Sequence, residues 1–239
     1  EIEAICRYML EEKGLNTFVK LNPTLLGYPR VREILDTCGF DYIGLSEASF
    51  DHDLKLDQAK AMLTRLMALG AEKGLTFGVK LTNTLGTINR KGALPGDEMY
   101  MSGRALFPLS INVAAVLSRA FDGKLPISYS GGASKFNIAE IFETGIRPIT
   151  MATDLLKPGG YLRQIECLKE IDASDSWGMS QVDVAKLEAL AAKDLQERLP
   201  GMLTRQALRL VAKEQLRRSA AKEGGDVGNI LVGIFNTLS

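Results

Sequence analysis

Short apolar runs alternate with helical segments along the first 174 residues of the chain. Each run ends at a glycine, a proline or a group of polar side chains, which is typical of a strand followed by a turn. Between the runs, apolar residues recur at the three- and four-residue spacing of amphipathic helices. The pattern predicts five strands, near 17–21, 42–46, 77–81, 126–130 and 148–152.

The alternation of strands with helices predicts an α/β protein with a parallel sheet. Because the apolar runs do not alternate with polar residues, we expect the strands to be buried on both faces. Two architectures fit this pattern, an open doubly wound sheet and a (βα) barrel. In both of them, ligands bind at the carboxyl ends of the strands.

Polar side chains gather at those predicted carboxyl ends, and this grouping is the strongest indication of function in the sequence. The groups are Asn22, Ser46-Glu47, Thr82-Asn83-Thr84, Ser130-Gly131-Gly132 and Thr153-Asp154.

Two of the groups have the composition of a phosphate site. Gly131-Gly132 lies between a strand and a helix, where backbone N–H groups can approach a phosphate. In barrels the common phosphate site follows the last two strands, here Gly131-Gly132 and Ala152-Thr153. A plain tight turn is the alternative for the glycine pair. Ser102-Gly103 precedes a long helix, where Ser102 alone would be explained as an N-cap.

Asn83-Thr84 and two strand lysines are further candidates. The amide and hydroxyl of Asn83-Thr84 can bind the edge of a heterocycle, and a simple turn is the alternative. Lys20 and Lys80 lie within apolar strands. Because burial of an unpaired ammonium is costly, each must find a partner, line the barrel mouth or reach solvent. The single histidine, His52, is interpreted as a solvated loop residue, and no metal site is expected.

Strands are no longer predicted after residue 174, so we expect two units, 1–174 and 175–239. An amphipathic helix is predicted over 181–195 and a basic helix over 202–222. The basic helix is interpreted as a solvated face or a partner helix.

Charge and cysteine content narrow the function classes. With 29 basic and 29 acidic side chains the formal net charge is zero, so a protein-wide attraction to nucleic acid is not expected. Cys6, Cys38 and Cys167 are too few for the usual iron–sulfur cluster, and their wide spacing predicts reduced thiols in a cytoplasmic protein. Apolar runs stay well below the ~20 residues of a membrane span.

Five motifs, in order, resemble a known family: VKLNP, VKLTNT, MSGRALFPL, ISYSGGAS and PITMATDLL. They resemble the FMN barrel of dihydroorotate and dihydropyrimidine dehydrogenases. Residues 1 to about 195 are most similar to selenate reductase subunits, large iron–sulfur flavoproteins of the dihydropyrimidine dehydrogenase type. The resemblance implies FMN-dependent oxidoreduction of a small-molecule substrate, with other domains or subunits of a reductase as partners. Iron–sulfur clusters and a second flavin are implied only for other parts of such a protein.

The resemblance also implies roles for individual residues. Lys20 would meet the N1/O2 edge of the flavin. Asn83 and Thr84 would contact flavin and substrate, with Asn22 also at the substrate. The FMN phosphate would be bound by Ser102, Gly103, Gly131, Gly132, Ala152 and Thr153. Lys80 has no counterpart in the family.

The sequence departs from the family pattern in ways that limit these expectations. The family barrel has eight strands and five are predicted here, so we expect an incomplete (βα)8 TIM-type barrel followed by a helical tail. Its open strand edges could associate as a homo-oligomer. The family's catalytic acid/base loop would precede Glu1, so the chain is expected to be inactive alone. Beyond about residue 195 the family pattern ends. A non-catalytic structural or partner-binding module of a multidomain reductase is the alternative function.

Overall fold

The computed structural model describes residues 1–197 except 91, 93, 94 and 173. Its strands are β1 (Thr17–Leu21), β2 (Phe77–Leu81), β3 (Leu85–Ile88), β4 (Glu98–Met101), β5 (Ile127–Ser130) and β6 (Ile149–Thr150). Four of them form one parallel sheet in the spatial order β1-β2-β5-β6, and β3 and β4 form a separate antiparallel hairpin. A doubly wound sheet reverses its strand order at a switch point, whereas a barrel adds each strand beside the previous one. The order therefore identifies the sheet as part of a barrel.

Helices connect and cover these strands. They are α1 (Ile2–Glu11), α2 (Tyr28–Thr37), α3 (Glu47–His52), α4 (Leu56–Glu72), α5 (Phe107–Ala120), α6 (Ile138–Glu143), α7 (Arg163–Asp172) and α8 (184–197). The main core joins apolar side chains of α1, α4 and α5 to one face of the sheet, where Leu81 and Tyr129 are fully buried.

The strand register separates a buried apolar face from a polar face. Leu21, Leu81 and Tyr129 are register neighbours on the face packed against the helices. Lys20 and Lys80, one position earlier in each strand, lie side by side on the opposite face. The prediction that the strands are buried on both faces is wrong for β1, since Lys20 is exposed. The described helices cover only one side of this strand.

The predicted strand near 42–46 is absent, so the described sheet has four parallel strands instead of five. The segment meets the hairpin instead, because Ile88 N donates to Gly44 O at 2.9 Å. Leu45 is buried in a second cluster with Val31 and Ile34 of α2. The apolar pattern of this segment thus serves packing against the hairpin and α2. The hairpin itself lies between the predicted strands 77–81 and 126–130, where the sequence predicts no strand.

Residues after 174 pack onto the same core as far as they are described. Val182 N and Asp183 N donate to the carbonyls of Gly123 and Thr144, next to the amino ends of β5 and β6. Helix α8 begins after Asp183, whose carboxylate accepts from Lys186 N at 3.0 Å as an N-cap does. Leu187 of α8 is fully buried. The division into units 1–174 and 175–239 stays a prediction, and the predicted basic helix 202–222 lies outside the described residues.

Two findings bear on the expected cellular location. Cys6, Cys38 and Cys167 are buried free thiols. Every helix in the described part of the chain is too short or too polar to cross a membrane. The cytoplasmic location stays a prediction.

Candidate functional site

A cavity of about 150 Å³ lies at the carboxyl ends of the four parallel strands. Lys20 of β1, Thr82 after β2, Ser130 of β5 and Thr150 of β6 all line it. Apart from Asn83, all the residues that the resemblance assigns to the cofactor also line this cavity: Lys20, Thr84, Ser102, Gly103, Gly131, Gly132, Ala152 and Thr153. The fold therefore brings together residues that are up to 133 positions apart, from Lys20 to Thr153.

Three glycines interlock on one side of the cavity. A side chain at Gly132, where φ is +78°, would collide with the carbonyl oxygen of Gly103. A side chain at Gly131 would collide with Ser110 Oγ, and one at Gly103 would come within 2.8 Å of Thr153 Cγ2. The turn after β5 thus contacts the backbone of the turn before α5, and the turn before α5 packs against the Thr153 side chain of the turn after β6. A plain tight turn would require glycine in one turn, but it would not bring glycines of two segments together.

The interlocked turns expose hydrogen-bond donors. Within the described residues, the N–H groups of Gly131 and Gly132 have no backbone acceptor. Gly103 and Thr153 begin 3₁₀ turns, whose first N–H groups have no acceptor inside the turn. Ser102 occupies an N-cap position without a side-chain capping bond, so its hydroxyl is not used there. A set of N–H and O–H donors without acceptors around one cavity is suited to an anion such as phosphate.

The charges around the cavity also favour an anion. Lys20, Arg104, Lys157 and Asp154 line it. The Asp154 carboxylate is neutralised locally, because Arg163 binds it through two nitrogens at 2.9 and 3.2 Å and Lys157 lies at 3.4 Å. Burial alone would raise the pKa of Asp154, but hydrogen bonds and charges from Arg163 and Lys157 lower it below its ordinary value. Lys20 and Arg104 have no ion-pair partner among the described residues.

Buried hydroxyl groups form hydrogen bonds at and beside the Gly131-Gly132 turn. Tyr129 OH donates to Gly131 O at 2.9 Å, and Thr82 Oγ1 and Ser110 Oγ are hydrogen-bonded at 2.7 Å. Burial, followed by the charge of Asp194, raises the pKa of the Tyr129 phenol well above its ordinary value. The phenol therefore remains a neutral donor that holds the Gly131 carbonyl.

The two predicted substrate residues lie together beside the cavity. Asn83 Nδ2 donates to Asn22 Oδ1 at 2.8 Å, which links the carboxyl ends of β1 and β2. Lys80 lies beside Lys20 in the sheet register but does not line the cavity. The roles assigned to these residues stay predictions.

Several residues at the site were not identified from the sequence. Arg104 and Lys157 line the cavity, and Asp53 hydrogen-bonds to Asn22 at 3.0 Å. The position of Arg104 directly after Ser102-Gly103 is a signal that could have identified it. Sequence gives no such signal for Asp53, because it comes from a connection of 55 residues between β1 and β2.

The single histidine lies away from this cavity. The interpretation of His52 as a loop residue is wrong, since it is the last residue of α3, but its side chain is exposed as expected. Across the described ranges, His, Cys, Asp and Glu side chains form no group of three or more that could hold a metal ion.

Comparison with known proteins identifies the family of this chain. A family model described as "Oxidoreductase YgfK, N-terminal TIM-barrel domain" matches residues 1–200. The chain belongs to this family. The "Putative oxidoreductase YgfK" of Escherichia coli strain K12, and that of E. coli O157:H7, are each 80% identical to it over 195 residues. The aligned residues are 82% of this chain and 19% of each relative, so the chain spans about a fifth of the relatives' length.

Membership in the YgfK N-terminal domain family confirms the barrel prediction and the broad class of oxidoreductase domain. The finer assignments to selenate reductase and dihydropyrimidine dehydrogenase types stay predictions, as do FMN and the iron–sulfur clusters of other parts.

Proposed function

We propose that this domain binds FMN and forms the flavin-binding part of an oxidoreductase that acts on an oxidised or unsaturated small molecule. The observation that carries the proposal is the cavity at the carboxyl ends of the strands, which is lined by three interlocked glycines and by two cations without an ion-pair partner among the described residues, Lys20 and Arg104. A bound flavin would supply hydride transfer. The protein's part is to bind and orient the cofactor and to set the charge around it.

The donor set fits the phosphate end of FMN. The N–H groups of Gly131, Gly132 and Thr153 and the hydroxyl of Ser102 would hold the phosphate, and Arg104 adds a positive charge. A volume of about 150 Å³ is smaller than the ~300–1,000 Å³ of most small-molecule pockets. The described cavity therefore fits the phosphate-bearing end of such a molecule, not the whole of it. Lys20, on the polar face of the sheet, would stabilise negative charge on the ring system.

Comparison of FMN with riboflavin, which lacks the phosphate, tests the proposal. Ser102→Asp adds a negative charge to the cavity at an N-cap position that accepts aspartate well. Ser46→Asp is the matched control, since Ser46 is the N-cap of α3, also without a side-chain capping bond, and does not line the cavity.

We expect FMN to bind more tightly than riboflavin, and Ser102→Asp to weaken FMN binding alone. At ~6 Å and an effective dielectric of ~20, one like-charge pair costs about 3 kcal/mol, near a hundredfold in affinity before solvent screening. Flavin fluorescence titration of both variants measures this. Equal FMN affinity in the two variants would contradict the proposal that the phosphate binds in this cavity. A chain that binds neither flavin would favour the non-catalytic module.

A further inference from the structure

Asp53 reaches the predicted substrate residue Asn22 from the long connection between β1 and β2. It follows α3 directly, and one of its oxygens, Oδ2, accepts two hydrogen bonds. Thr24 Oγ1 donates at 2.6 Å and Asn22 Nδ2 donates at 3.0 Å. All three side chains are partly buried. Asn22 in turn accepts from Asn83 Nδ2 at 2.8 Å. The result is a series of hydrogen-bonded side chains from Asp53 through Asn22 to Asn83.

The direction of these hydrogen bonds follows from the chemistry of the Asp53 carboxylate. An ionised carboxylate has only acceptors, so Asn22 must turn its NH₂ group towards Asp53. The Asn22 carbonyl then faces Asn83, and Asn83 must donate a hydrogen bond to it from its own NH₂ group. The Asn83 carbonyl oxygen is left pointing away from Asn22. None of the described residues donates to that oxygen.

We propose that Asp53 is a positioning residue that fixes the orientation of both amides, so that Asn83 presents its Oδ1 to the ligand. The contact between Asn83 and a ligand rests on the proposed function, whereas the orientation of the two amides does not. A ligand group that meets Asn83 must then be a hydrogen-bond donor, such as a ring N–H or a hydroxyl. Carbonyl groups would be disfavoured there, because two acceptors would face each other.

The neighbouring Asp51 supplies a matched control. It lies in α3, two residues before Asp53, is 81% exposed and contacts Lys55 at 3.7 Å. Asp51→Ala removes the same charge two positions away without touching either amide. Asp53→Asn keeps one oxygen that can accept from Asn22 and Thr24, whereas Asp53→Ala removes the acceptor.

Exchange of side-chain amide protons with solvent, followed by NMR on the full chain, tests the orientation directly. The internal reference is Asn16, whose oxygen accepts from Thr76 N at 2.8 Å and whose NH₂ group donates to no described residue. We expect a proton of Asn22 and of Asn83 to exchange about fivefold to tenfold more slowly than those of Asn16, as a hydrogen bond of ordinary strength requires. In Asp53→Ala this protection should be lost at both residues. Asp53→Asn should restore most of it, and Asp51→Ala should not change it.

Two outcomes would overturn the proposal. One is an Asp53→Ala variant in which Asn83 keeps its protection, since its orientation would then be set by something else. The other is an Asp53→Ala variant in which backbone protons of β2 lose protection to the same extent, since the role would then be general stability. Because neither measurement needs flavin or turnover, both stand whether or not FMN binds.

Discussion

At the residue scale, Asp154 shows how a charge is used to hold the site in place. Its side chain is 3% exposed, and its carboxylate accepts hydrogen bonds from two nitrogens of Arg163 and from Lys157 Nζ. Asp154 directly follows Thr153, which lines the cavity. The buried carboxylate therefore ties the turn after β6 to α7, where Arg163 is the first residue.

Asp154→Asn should destabilise the protein by about 2–3 kcal/mol at neutral pH, because it leaves the Arg163 guanidinium without its charge partner. Urea unfolding measures the difference from the unchanged chain. The control is Asp172→Asn, which removes the same charge from an exposed position and should change stability by less than about 0.5 kcal/mol. Equal effects of the two substitutions would contradict the role given to the Arg163 pair.

The pH dependence of this effect has a definite sign. The pKa of Asp154 is lower in the folded state, so its contribution is fully present above the unfolded-state pKa of about 3.9. It is lost as the pH falls through the folded-state pKa. The difference between Asp154→Asn and the unchanged chain should thus be constant at neutral pH and shrink below about pH 4.

At the element scale, the strands that the sequence predicts well are those whose apolar residues face the main core. Phe77–Leu81 is such a strand, and its predicted and observed bounds agree. The segment near 42–46 has a similar composition but lies against the hairpin and α2, and composition cannot tell which neighbour an apolar run will meet. The glycine turn at Gly131-Gly132 could be predicted because the residues that form it are adjacent in the sequence. Asp53 could not, because its partners lie 29 and 31 residues away in sequence.

Leu187→Ala tests whether α8 is part of the folded core. Leu187 is fully buried among residues of the main cluster, so truncation should cost about 2–5 kcal/mol. Leu156→Ala is the control, because Leu156 is 86% exposed and its truncation should be nearly neutral. Thermal or urea unfolding compares the two. A neutral Leu187→Ala would mean that α8 adds nothing to the stability of the barrel part.

At the scale of the whole molecule, the described sheet has two free edges. Strand β1 pairs with β2 on one side, strand β6 pairs with β5 on one side, and no further strand of the described part pairs with either. Apolar side chains are exposed near both edges. Ile5 of α1 is 55% exposed, and Ile165 and Leu168 of α7 are 52% and 55% exposed. Free edges flanked by apolar surface favour association with another chain.

We therefore expect the chain to self-associate through these edges. A barrel of this type has about eight strands, and two four-stranded sheets paired edge to edge would supply that number. Replacing Ile165 and Leu168 together by lysine puts two charges on the α7 side of the β6 edge, which should weaken dimers by about tenfold or more. Tyr100→Lys is the control, since Tyr100 is 65% exposed on the hairpin and should leave association unchanged. Sedimentation velocity over a range of concentrations measures both. A chain that stays monomeric at every concentration would show that the edges are covered, and an equal effect of the two substitutions would place the contact away from β6.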